Sequence, residues 1–69
     1  LEIDMSDFKQ RVQDEKDELD KKLGALLNFL SYEAHEINID PHQLNLLQKQ
    51  YYAMLHYSEI LQERIECFE

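Results

Sequence analysis

Apolar residues recur along this chain at intervals of three, four or seven, and that rhythm divides it into two helices. Phe8, Val12, Leu19, Leu23, Leu26 and Leu30 trace the first apolar face, because residues three and four apart stand on one side of an α-helix. Acids and lysines fill the positions between. Asp17 with Lys21 and Glu18 with Lys22 place the acid one turn before the base, an order worth ~0.2–0.5 kcal/mol per pair on an exposed helix. Ser6 stands where an N-cap belongs, and Asp7 meets the positive end of the helix dipole. Glu15 interrupts the apolar line; it either points sideways or pairs with a cation across an interface. Gly24 falls mid-helix, at about 1 kcal/mol relative to Ala. A close helix crossing, a ligand approach or a tolerated imperfection would each account for it.

The start of the second helix is marked four times over. Asp40 is an N-cap, Pro41 fits the first helical position, and Gln43 follows Asp40 at capping-box spacing. Ile39 and Leu44 are placed to form a hydrophobic staple. From there Leu44, Leu47, Tyr51, Met54, Ser58, Leu61, Ile65 and Phe68 alternate steps of three and four, with Ser58 the only polar member. That is a coiled-coil-like seam. The expected organisation is a single domain over 6–69: a helix over 7–30, a connection over 31–40 and a helix over 41–68. Residues 1–5 are expected to be an appended or disordered lead, with Met5 as the natural start. A short connection makes the helices antiparallel neighbours, and Tyr32, Ile37 and Ile39 predict that it folds back onto them.

The second helix carries more apolar surface than one neighbour can cover. Leu46, Ala53, Tyr57, Ile60 and Cys67 form a second stripe beside the seam. Together the two span roughly 200° of the helix, whereas a partner helix covers only about 100°. Either a second hairpin or the folded-back connection must cover the rest. The size of the chain favours the hairpin. A chain of 69 residues forms a marginal core, burying roughly 60% of its unfolded surface, and needs a disulfide, a metal or a partner. Cys67 is its only cysteine, so no internal disulfide exists. The predicted fold is therefore all-α: an antiparallel two-helix hairpin that assembles into a helical-bundle oligomer, with Leu46, Ala53, Tyr57, Ile60 and Cys67 at the interface.

Charge narrows the choice of partners. The formal net charge of -8 argues against binding the backbone of DNA or RNA, which needs a basic footprint. A small phosphorylated ligand remains compatible, since two or three local cations suffice. Lys9, Arg11, Lys16, Lys21 and Lys22 lie in the first half, and only Lys49 and Arg64 in the second. No apolar run approaches the ~20 residues of a membrane span, and no leader pattern is evident; the expected location is the cytoplasm.

Candidate chemistry is sparse. His35, His42 and His56 form no helical pair at metal-binding spacing. His56 precedes Glu59 by three residues, the reverse of the di-iron bundle motif, on a polar face. No metal site or cofactor is expected. No serine or cysteine has the local support of a nucleophile, and no glycine-rich phosphate loop is present. The sequence thus reads as a binding protein and not an enzyme. Tyrosine stacks on nucleobases while Arg or Lys holds phosphate. On that chemistry Arg11, Lys22, Tyr51, Tyr57 and Arg64 are the candidate ligand-binding residues. The competing structural reading makes the tyrosines core and Arg64 an interface salt bridge.

Phe8-Lys9-Gln10-Arg11-Val12 with Glu15, Glu18 and Leu19, and Leu46-Leu47 with Gln50, Met54, Tyr57, Ile60-Leu61 and Arg64-Ile65, resemble a family of small phage- and prophage-encoded proteins related to the crAss-like phages. The resemblance covers nearly the whole chain from Met5, apart from the connection. It implies a small viral accessory protein in a bacterial host cytoplasm. In architecture the chain is similar to the phage anti-CBASS and anti-Thoeris sponges, helical hairpins that oligomerise and sequester cyclic or ADP-ribose-derived nucleotide signals. No binding residue carries over from them. The function implied is an oligomeric nucleotide sponge. The alternative is an assembly module whose surplus stripe docks on a host or virion protein.

Overall fold

The computed structural model describes residues 5–68, the side chains of Met5 and Ser6 excepted. Helix α1 spans Met5–Asn28, a π-helical turn continues it over Phe29–Glu33, α2 adds Ala34–Glu36, and α3 spans Pro41–Glu66. The protein is an all-α hairpin, drawn out into a rod of 53 × 19 × 14 Å. None of its helices is long and apolar enough to cross a membrane. The lead expected over residues 1–5 lies outside the described residues except for Met5, which is already helical. Ser6 is therefore inside the first turn and not its cap, because an N-cap needs a non-helical backbone.

The first residues of the connection read over 31–40 extend the first helix. The backbone stays helical there through a wider turn, in which the Ala34 N–H donates to the Phe29 carbonyl. The wider i→i+5 turn inserts a residue and shifts the side-chain face that follows. Ala34 is consequently buried at 2% exposure, while Tyr32 and Ile37 stand out at 68% and 61%. The expected fold-back of Tyr32 and Ile37 does not occur; of the three residues, only Ile39 is half-buried. Asn38 then takes the left-handed conformation, φ 53°, and the Ile39 N–H reaches back to the Ala34 carbonyl at 3.4 Å. This six-to-one bond, with a left-handed Asn beyond the helix end, is a Schellman stop.

The start of α3 follows its sequence signals. Asp40 has φ -53° and ψ 130°, and its Oδ2 accepts the Gln43 N–H at 3.2 Å. At the far end α3 closes at Glu66, with the Cys67 N–H shared between the Glu63 and Arg64 carbonyls, both at 3.2 Å.

Val12 and Leu19 from α1 close on Leu61, which is fully buried, with Phe8, Met54, Ile65 and Phe68 packed around them. Phe8 and Phe68 meet edge to face at 5.7 Å, which holds the first turn of α1 beside the end of α3. The polar seam member is explained by α1: Ser58 Oγ donates to Asp20 Oδ1 at 2.5 Å, and Lys16 Nζ donates to Asp20 Oδ2 at 2.6 Å. The ion pairs on α1 differ from those expected. Lys21 pairs with Glu18 at 3.6 Å, Asp17 accepts from Gln13 Nε2 at 3.0 Å, and Lys22 has no partner among the described residues. Glu15 is exposed and points sideways. Nothing lies within 4 Å of where a Gly24 Cβ would stand, so no helix crossing requires that glycine.

Candidate functional site

The hairpin leaves one face of α3 bare. Leu46, Tyr57 and Ile60 are 42%, 43% and 41% exposed, and Ala53 and Cys67 are exposed as well. The connection does not reach this face, so the stripe is uncovered within one chain. Arg64 stands in the same stripe, seven residues or about two turns after Tyr57. Its guanidinium carbon lies 5.9 Å from the Phe8 ring centroid, within cation–π range.

The five candidate binding residues divide between two sides of the hairpin. Arg11 and Lys22 are exposed on α1, eleven residues or about three turns apart and so in line. Neither has a partner among the described residues. Arg64 reaches Phe8, one turn before Arg11, so helical geometry sets Arg11, Lys22, Tyr57 and Arg64 on one side. Among the described residues neither Arg11 nor Arg64 forms a hydrogen bond or ion pair with Glu15. Tyr51 belongs to the other side, the side on which Asp20 meets Ser58. It is half-buried and edge-on to Tyr52 at 5.4 Å. With Tyr52, Leu27, Leu30 and Gln48 it lines a groove of about 330 Å³. Within one chain Tyr52 and Tyr57 lie outside the core, at 68% and 43% exposure, while Tyr51 is half-buried. A second, more polar groove of about 400 Å³ lies at the open end of the hairpin, among Lys9, Gln10, Gln13, Ile65 and Phe68.

Sequence reasoning missed Tyr52, Gln48, Leu27 and Leu30 as neighbours in a groove. Leu27 follows Leu26 directly and so lies about 100° round the helix from it, and that widening of the apolar face was the one available signal. Electrostatic perturbation points elsewhere, to structure. The Asp20 carboxyl is held below its ordinary 3.8, chiefly by the Lys16 hydrogen bond and then by the Ser58 hydroxyl, against a smaller opposing effect of burial. These groups are occupied with one another. His56 Nδ1 lies 4.0 Å from Glu59 Oε2 with both side chains largely exposed, and the described residues hold no group of three or more side chains placed to bind a metal.

A family model, Sequestin, matches residues 6–67. No curated protein and no solved structure shows a significant similarity to the chain.

Proposed function

Because this chain belongs to the Sequestin family, we propose that it works by sequestration, holding a small ligand without breaking a bond in it. The ligand class we propose is a cyclic or ADP-ribose-derived nucleotide that serves as an immune signal. The protein would act as a phage or prophage accessory factor in the host cytoplasm, assembled from more than one copy.

One observation carries this reading. In a chain of net charge -8, Arg11 and Lys22 have no acidic partner among the described residues. Among the described residues the Arg64 guanidinium meets the Phe8 ring and no acid. All three stand on the side of the hairpin that also exposes Tyr57. Cations that stay unpaired amid abundant acid are available to an anion. Arg suits phosphate by its forked donors, and a tyrosine face beside it accepts a base at about 1–3 kcal/mol per stacked ring. The Tyr51–Tyr52 groove, at about 330 Å³, is at the small end of ligand sites and suits one ring. A whole dinucleotide needs surface from more than one side, which assembly supplies.

A panel of cyclic di- and trinucleotides and cyclic ADP-ribose isomers, followed by thermal shift and calorimetry, tests the proposal. At least one member should raise the melting temperature and bind with a simple stoichiometry. Arg11→Ala, on α1 and outside the α3 stripe, should weaken that binding and leave the assembly state unchanged. Silence across the whole panel would sink the nucleotide reading and leave the protein-docking alternative.

A further inference from the structure

The bare face of α3 is a palindrome. Read at strict steps of four and three it runs Leu46, Gln50, Ala53, Tyr57, Ile60, Arg64, Cys67. About Tyr57 the order is the same in both directions: apolar, polar, apolar, tyrosine, apolar, polar, apolar. We infer that this face pairs antiparallel with the same face of a second copy, Leu46 opposite Cys67 and Tyr57 close to the two-fold axis.

The residues fit that arrangement and resist its parallel counterpart. Antiparallel pairing sets the small Ala53 against the large Ile60 of the second copy, and brings Gln50 within one residue of its Arg64. Gln50 Nε2 already donates to Met54 Sδ at 3.8 Å, which leaves the amide oxygen to accept from the guanidinium. The polar members of the stripe thus satisfy each other twice over by symmetry, as an isologous interface requires. Parallel pairing would instead stack Arg64 on Arg64, and like charges opposed in a seam are destabilising.

The flank adds charge complementarity. On one side of the stripe lies the packed hairpin core; on the other stand Lys49, His56 and Glu63, all exposed and spaced by sevens. In an antiparallel pair such flanking positions face their own kind from the other chain, and they set orientation. With Leu46 opposite Cys67, Lys49 falls within one residue of Glu63 of the second copy, at both ends. The side chains of Lys49 and Glu63 have no ion-pair partner among the described residues. The seam runs ~32 Å at 1.5 Å per residue, most of the length of α3. This pairing needs no ligand; it takes Tyr57 and Arg64 into the seam and leaves Arg11 and Lys22 of α1 exposed beside it.

Disulfide trapping tests it on the ligand-free protein. Antiparallel pairing holds the two Cys67 residues ~30 Å apart along the seam, beyond the ~4.4–6.8 Å that a disulfide spans. Wild type under mild oxidation should therefore stay uncross-linked on a non-reducing gel. Leu46→Cys should give a covalent dimer whose bridge, by peptide mapping, joins position 46 to Cys67. Circular dichroism checks that the variant remains helical. As a second arm, Lys49→Glu should weaken self-association about tenfold, and adding Glu63→Lys should restore it to within about threefold. A wild-type dimer bridged through Cys67 alone would overturn the antiparallel order. An 8.3 kDa monomer at high concentration, or failure of Glu63→Lys to rescue, would overturn the interface. A silent nucleotide panel with successful trapping would retire the ligand and keep the seam.

Discussion

Ser58 is the residue at which pattern and structure meet. It breaks an otherwise apolar seam, is 7% exposed, and is satisfied by Asp20 from the opposite helix. The two ends of that bond are not equivalent. Removing the carboxylate strands a buried hydroxyl, whereas removing the hydroxyl leaves Asp20 with Lys16 and water. Asp20→Ala should thus cost about 1 kcal/mol more than Ser58→Ala in urea titrations at one fixed protein concentration. The pH dependence follows from the lowered Asp20 carboxyl. Its stabilisation is complete above the unfolded value of about 3.9 and is lost as pH falls through the lower folded value. The stability gap between wild type and Asp20→Asn should accordingly be constant near neutrality and shrink below about pH 4. A gap that grew on acidification would contradict the assignment. Gly24 makes the converse case. With open space around it, Gly24→Ala should stabilise the protein by roughly 0.5–1 kcal/mol, read as a higher melting temperature.

At the scale of elements, what was legible depended on whether the signal was local. The start of α3 is set by Asp40 and Pro41 acting on their immediate neighbours, so it could be read directly. The π turn at Phe29–Glu33 has no residue signature in the spacing of apolar positions. Nor was the Tyr51–Tyr52 groove foreseen, and Ser58 could be noticed as an outlier while its partner could not be named. Asn38 was a missed local signal, since Asn tolerates the left-handed stop better than other non-glycine residues. Asn38→Ala should destabilise by about 1 kcal/mol, and Asn38→Gly should be neutral or slightly stabilising in thermal melts. Leu61, with no exposed surface, ties α3 to Val12 and Leu19. Leu61→Ala should remove about 2–5 kcal/mol, enough to abolish the cooperative transition of a hairpin this small.

Across the whole molecule, the rod offers two sides of different character. One packs tyrosines and leucines into a shallow groove; the other presents unpaired cations beside an apolar stripe of α3. The stripe was legible from the arc it occupies, because a surplus of apolar surface is a property of sequence alone. The separation of Tyr51 from Arg11, Lys22, Tyr57 and Arg64 was not, because it depends on which side of α1 each helix position meets. The capture proposed for such a surface would be stoichiometric and would leave the ligand unchanged, which would distinguish it from turnover. The most direct measurement is therefore recovery. The protein is saturated with the nucleotide that gives the largest thermal shift, freed of excess by gel filtration, and heated to unfold it; the supernatant is then analysed by mass spectrometry. The account expects the nucleotide to co-elute with the protein and to be released chemically intact in a fixed ratio to chains. A converted product, or no co-eluting nucleotide from any member of the panel, would contradict it.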